Sequence, residues 1–195
     1  MKTRKIILKR AALLLAGVVA FISLITLAYI TFRHPIHSAI QSLYWKTDPA
    51  QTTEAARNML DFDLPPGYQP EKVQKTSLDA VILVNQNHAS DVIFIAQVPD
   101  GVLANEEWVQ GYEERSAQEI GDQFYDTQFT GGQSAFIAHQ LVTLRFLEGS
   151  DKDGKAVKQL VCMLKGKSGE ILIVVTANNG TWDQTMVDNF LTSIQ

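Results

Sequence analysis

Residues 11–32, AALLLAGVVAFISLITLAYITF, form an uncharged run of 22 residues directly behind a basic start. A helix made of this run is apolar on every side, which a surface helix of a soluble domain is not. At about 1.5 Å per residue it is about 33 Å long, against a hydrocarbon core of about 30 Å. Gly17, Ser23 and Thr26 are compatible with such a helix, which satisfies its own backbone and lets a hydroxyl bond back to a carbonyl. Tyr29 lies near the far end, where an amphipathic ring favours the interface. The expectation is one transmembrane helix over residues 11–32 behind a basic cytoplasmic tail, residues 1–10. A cleaved signal has an apolar core of only about 7–15 residues. The best small-x-small site here, Thr26-Leu27-Ala28, is poor, and no cysteine follows the run to carry a lipid.

Charge is divided along the chain in the same way. Lys2, Arg4, Lys5, Lys9, Arg10 and Arg33 are six cations with no anion among the first 33 residues. Residues 34–195 hold 11 cations against 21 anions, a net of −10. By the positive-inside rule the tail stays in the cytoplasm and the acidic body lies outside it. The expected localisation is therefore the plasma (inner) membrane, single-pass, with the lipid bilayer as partner of residues 11–32. An acidic body without a basic patch disfavours nucleic acid. Apolar residues make up 46% of the chain, too many for a disordered one. The single cysteine, Cys162, excludes an intrachain disulfide and a multi-thiolate zinc site.

Residues 33–60 read as a helical stem. Ile36, Ala39, Ile40, Leu43 and Tyr44 make one apolar stripe after Pro35, and Tyr44 and Trp45 suit a headgroup layer. His34 and His37 share a face of that helix but are too few for a metal site. Asp48-Pro49-Ala50-Gln51 is a second helix start, with the helix running to about Leu60 before Leu64-Pro65-Pro66-Gly67-Tyr68 breaks it.

Residues 61–195 read as an extracytoplasmic α+β domain. Strands are expected over Lys72–Ser77, Asp79–Asn85 and Asp91–Val98, the last two as a hairpin. Asn105 caps a helix running to about Asp122, with Trp108 or Val109, Tyr112, Ser116 and Ile120 on its buried face. Three longer strands follow at about Ala135–Leu147, Ala156–Lys165 and Glu170–Ala177. Ile171 to Val175 does not alternate, which predicts cover on both faces. Thr181-Trp182-Asp183-Gln184 reads as a capping box opening a last helix that buries Trp182, Met186 or Val187, Phe190 and Ile194. The expected architecture is a mainly antiparallel sheet of five or six strands flanked by helices.

This order of elements, opened by Phe62-Asp63-Leu64-Pro65-Pro66-Gly67-Tyr68 and closed by Trp182…Phe190-Leu191-x-Ser193-Ile194, resembles the PsbP-like α/β/α sandwich. It is also similar to membrane-anchored bacterial proteins of unknown function that carry an LPPGY-like segment. The resemblance covers about residues 60–195 and implies a fold. It carries no functional residue to this chain.

Patterns that carry chemistry are few. Gly166-Lys167-Ser168 looks like the end of a phosphate loop, but Val161 stands where that loop needs glycine, and two strands flank it. Asp151-Lys152-Asp153-Gly154, with Glu148 near, offers oxygens for calcium but lacks the closing acid. No G-x-S-x-G occurs. Cys162 lies in an apolar strand, which makes it an inert thiol, and His139 in another strand is its one candidate base. The pairs Asp61/Asp63 and Glu106/Glu107 read as solvated charges. No catalytic, cofactor-binding or metal residue is assigned and no cofactor is expected. The expected function is a non-catalytic binding or accessory module for an unknown protein or small ligand. The alternative is an envelope enzyme or stress-related accessory factor whose site is assembled from distant residues.

Overall fold

In the computed structural model of the chain the described residues are 45–75, 79–121 and 123–195. Nine strands form one antiparallel sheet that curls into a half-barrel. In chain order they are β1 (Lys46–Thr47), β2 (Tyr68–Lys75), β3 (Asp79–Asn85), β4 (Val92–Gln97), β5 (Glu119–Ile120), β6 (Gln123–Ile137), β7 (Gln140–Asp151), β8 (Ala156–Gly166) and β9 (Gly169–Asn178). Three α-helices accompany them: α1 (Pro49–Met59), α2 (Glu106–Gln118) and α3 (Gln184–Ser193). The spatial order is β1-β2-β3-β4-β9-β8-β7-β6-β5. Two meanders, β1 to β4 and β5 to β9, therefore meet along β4 and β9 at the centre.

Local chemistry accounts for most of the elements. Asp48 caps α1, its Oδ1 accepting from the backbone N–H of Ala50 and Gln51, with Pro49 at the first position. Asn105 caps α2 by accepting from the Trp108 N–H at 2.9 Å. Asp183 caps α3, accepting from the Met186 N–H. The cap expected at Thr181 thus falls two residues later. Ile171, Leu172, Ile173, Val174 and Val175 are all 0% exposed, so β9 is covered on both faces. One core cluster joins Ile171, Ile173 and Val175 to Met59 of α1 and to Val187 and Phe190 of α3. The other joins Leu172 and Val174 to Phe94 of β4 and Ala117 of α2.

The fold corrects the expected five- or six-stranded α/β/α sandwich. The body is the nine-stranded curled sheet, and strand residues outnumber helical ones about two to one. The added strands hide in polar sequence. Residues 123–134 are rich in Gln, Thr and Gly and are given no element from sequence, yet they make most of β6. The single strand expected over 135–147 is the end of β6, a turn at Ala138-His139 and the start of β7. Both turn residues have positive φ, +48° and +61°. That conformation suits the inverted two-residue hairpin turn that Asn-Gly usually announces. Gly149 on β7 has no room for a side chain, since a Cβ there would run into the backbone of Asp126 and Thr127.

The expected transmembrane helix, residues 11–32, and the stem residues 33–44 lie outside the described residues. Among the described residues no helix is long and apolar enough to cross a membrane. The longest, α2, has 13 residues and spans about 20 Å. Trp45, expected in a headgroup layer, stands edge-on against Phe94 with ring centroids 6.3 Å apart. Helix α1, expected in the stem, buries Ala55, Ala56 and Met59 in the domain core. Helix α2 stops at Gln118, and of the two alternatives for its buried face Trp108 is 54% exposed and Val109 half-buried. Glu113 is buried instead, because Arg145 of β7 reaches it at 2.6 Å.

Phe190 is buried, and its ring meets Phe62 edge-on at 5.5 Å. Phe190→Ala should cost about 3–5 kcal/mol, a large part of a typical domain stability of about 5–15 kcal/mol. Asn189→Ala, one residue earlier and exposed, should shift the urea midpoint little. Equal midpoints for the two variants would mean that α3 is not part of the core.

Candidate functional site

The sequence-flagged groups do not come together. Cys162 is fully buried, and burial, with a smaller push from the Glu113 charge, raises its thiol from 9.0 to about 12. His139 is exposed at the β6–β7 turn. Gln140 beside it is bonded to Lys165, and Lys165 is three residues, about 10 Å, along β8 from Cys162. Thiol and imidazole therefore do not form a pair. Gly166-Lys167-Ser168 makes the β8–β9 turn, and Lys167 Nζ donates to Asp61 Oδ1 at 2.5 Å and to the Arg57 carbonyl. This lysine fastens the end of α1 to the sheet. Asp151 spends its carboxylate on its own turn, accepting from the Asp153 and Lys155 N–H groups. Glu106 and Glu107 are exposed in the first turn of α2. Among the described residues no group of three His, Cys, Asp or Glu is placed to hold a metal ion.

A cleft of about 550 Å³ opens instead at one end of the sheet centre. Its size lies in the range of small-molecule sites, about 300–1,000 Å³. Three segments far apart in sequence line it: the Leu64–Tyr68 turn, the β3–β4 link, and the entry to α3 with one side of that helix. They meet because β4 runs antiparallel to β9, Val92 opposite Thr176. The start of β4 thereby stands beside the end of β9.

Each segment is held by its own chemistry. Pro65-Pro66-Gly67-Tyr68 closes with the Tyr68 N–H donating to the Pro65 carbonyl at 3.0 Å. Pro at the second position and Gly67 at φ +83° at the third are the residues of a type II turn. Gln86 N–H then donates to the Gly67 carbonyl, tying this turn to the β3–β4 link. Asp91, 2% exposed, joins that link to the β9–α3 connection. Its Oδ1 accepts from the Asn178 N–H at 3.2 Å and from Thr181 Oγ1 at 2.9 Å. On the far wall Ser193 Oγ accepts from the Asp63 N–H and donates to the Phe190 carbonyl.

The cleft is acidic. Asp63, Asp91 and Asp183 line it, and no Lys or Arg does. Four acids elsewhere are paired with a cation: Glu113 and Glu114 with Arg145, Asp61 with Lys167, Glu148 with Lys158. Among the described residues none of the three cleft carboxylates has such a cation. Asp91 is satisfied by neutral donors, and Asp183 by the N-terminus of α3. The negative field reaches Tyr68, whose hydroxyl is pushed up from 10.0 to about 12. Burial is the largest cause, followed by the Asp91 charge; a bond from Asn85 opposes them, and Asp183 adds a smaller push.

Three hydroxyls of the lining are accounted for. Thr181 Oγ1 and Ser193 Oγ are committed to Asp91 and to Phe190, and the Tyr68 phenol stays protonated at neutral pH. His88, Asn85, Asn87, Thr185 and Asn189 complete the polar wall, with Leu64, Met186 and Phe190 as its apolar part. Apart from Asp63, read with Asp61 as a solvated charge, the sequence places these residues only in turns or on a helix face, because the cleft joins positions 130 apart such as Asp63 and Ser193. No family model matches the chain, and no curated protein matches it in sequence.

The raised Tyr68 and Cys162 groups set an alkaline limit. In the unfolded chain both lose their protons earlier, near 10.0 and 9.0. Their contribution to stability is complete below about pH 9 and is lost as pH rises towards about 12. The urea midpoint should fall between pH 8 and pH 11, and less steeply in Tyr68→Phe. At pH 8 the Cys162 thiol of the folded chain should react with a disulfide reagent only as fast as the chain unfolds. A flat midpoint with rapid thiol labelling would contradict both assignments.

Proposed function

We propose that this chain is a non-catalytic binding module that holds a small polar ligand of positive charge in the cleft around Asp91. The observation that carries this reading is the combination of Asp63, Asp91 and Asp183 with no lysine or arginine in the lining. A cationic ligand would supply the positive charge that the surrounding protein does not. Asn85, Asn87 and Asn189 offer amide donors and acceptors to orient it, and Met186 and Phe190 an apolar floor.

Putrescine, betaine, maltose and acetate are suitable probes of thermal stability. Putrescine or betaine should raise the melting temperature, since a ligand of the folded state alone stabilises it. Asp63→Asn with Asp183→Asn should remove most of that rise, and salt should weaken it. Equal shifts with maltose or acetate, or none with either cation, would overturn the proposal.

We also propose that the domain faces the extracytoplasmic side of the membrane, attached through its N-terminal segment. This rests on the six cations and the apolar run of residues 1–33. A reporter fused after Gln195 should be active outside the cytoplasm and inactive within it. The reverse pattern would remove this placement.

A further inference from the structure

The two most exposed large apolar side chains among the described residues stand opposite each other at one tip of the sheet. They are Phe136 of β6, 73% exposed, and Leu141 of β7, 74% exposed. Each lies two residues from the tight turn Ala138-His139. Directly opposite across an antiparallel pair, they project from the same face. The tip that presents them is held in place. Gln140 Nε2 donates to the Lys165 carbonyl at 2.8 Å, and Gln140 Oε1 accepts from the Lys165 N–H at 2.8 Å. Ile137, between Phe136 and the turn, is buried in the core. Exposed apolar side chains grouped on a fixed tip mark an interaction site.

Strand register fixes which end of the sheet this tip occupies. Lys46 of β1 is level with Val73, Val81, Ile95, Ile173 and Cys162 on β2, β3, β4, β9 and β8. Thr47 follows it opposite Lys72, one step nearer Tyr68 and the cleft. At Trp45 the described chain therefore enters from the end away from the cleft. The β6–β7 turn is at that same end. Strand β7 leaves it at Gln140, beside Lys165, and climbs to Ser150 opposite Ala156. The next residue of β8, Val157, pairs with Asn178 at the cleft end. Residues 1–44 thus join the domain at the end that carries Phe136 and Leu141, and the cleft opens at the other.

We propose that the tip of the β6–β7 hairpin rests on a lipid bilayer, with Phe136 and Leu141 entering the headgroup layer and the cleft turned towards solution. This rests on the attachment of the chain through its N-terminal segment proposed above. Residues 33–44, the twelve between the apolar run and Trp45, reach at most about 40 Å when fully extended. The end of the domain that they join is therefore kept near the membrane. Charge selects the same end. From Thr127 to Leu147 the hairpin has 21 residues without one acid, although residues 34–195 hold 21 acids. Asp91, Asp126, Glu148, Asp151, Asp153 and Asp183 stand at the cleft end. An anionic lipid surface repels that end and leaves the hairpin tip unopposed. Apolar groups of a surface-bound element bury about 5–10 Å deep at the headgroup–acyl boundary, a depth that two side chains at a turn can reach.

The test uses the full chain in vesicles of phosphatidylcholine and phosphatidylglycerol. Cys162 is 0% exposed, so an introduced cysteine carries a label alone. A nitrobenzoxadiazole fluorophore is placed on His139→Cys at the tip or on Asp153→Cys at the β7–β8 turn, both exposed positions. Doxyl-labelled lipid should quench the first at least threefold more than the second, and the emission of the first should shift to the blue. Adding Phe136→Ser and Leu141→Ser should bring that quenching down to the Asp153→Cys level, while the chain still floats with the vesicles and its urea midpoint stays unchanged. A floating chain whose two labels are quenched alike, or whose quenching the two serines leave unaltered, overturns the docking and leaves the attachment standing. A chain that does not float removes the attachment and the docking with it. A blue shift at His139→Cys that grows with protein concentration in detergent, without lipid, makes the tip a contact between copies and also overturns the proposal.

Discussion

The pairing of β4 with β9 is the constraint on which the rest of the domain depends. It joins two meanders that are otherwise separate, and it closes a contact between residues about 80 positions apart in sequence, such as Ile93 and Val175. Bringing such distant segments together carries a loop-closure cost that only burial can offset. The strands are built for that. Ile93 and Ile95 of β4 and the five residues from Ile171 to Val175 of β9 are all 0% exposed. Side chains alternate between faces, so one face of this pair meets α1 and α3 and the other meets α2. Without the central pair neither helix layer would have a surface to cover.

The same pair builds the cleft. Asp91 comes just before β4, and Asn178 ends β9. The bond from the Asn178 N–H to the Asp91 carboxylate closes the pair at the point where the backbone ladder ends. A buried carboxylate is costly unless donors surround it, and Thr181 and Asn178 provide them. The acid that lines the cleft is thus also a clamp on the sheet centre. A second buried polar knot lies on the other face, where Gln159 donates to the Ala117 carbonyl and to Thr176 and accepts from Thr127. It fixes α2 against β8 and β9 and leaves no group open to a ligand.

Legibility followed the range of the interactions. Asp48 and Pro49 act within one turn, and the start of α1 could be read from them directly. Asp79–Asn85 and the uninterrupted apolar run of β9 were legible because burial on both faces leaves a mark in composition. The Ala138-His139 turn was not, since left-handed φ at Ala and His is imposed by the flanking strands and not signalled by the residues. The α3 cap was displaced for a similar reason: Thr181 is drawn away from the helix by Asp91, 90 positions earlier. The acidic side of α2 hid Glu113, whose burial depends on Arg145. No residue of the cleft was assigned beforehand, because its walls are three unrelated turns that acquire a common purpose only at the end of β4 and β9.

That origin bears on how the cleft can work. A binding site held by loops alone must be ordered when the ligand arrives, and the ordering subtracts from affinity. Here Asp91 is locked by the sheet centre, Asp183 by the first turn of α3, and the Asp63 backbone by Ser193 near the end of that helix. The Asp91 and Asp183 carboxylates and the Asp63 backbone are therefore positioned before any ligand binds. If a cation binds there as proposed, it binds the folded chain alone, and its occupancy and the stability of the central pair are then linked.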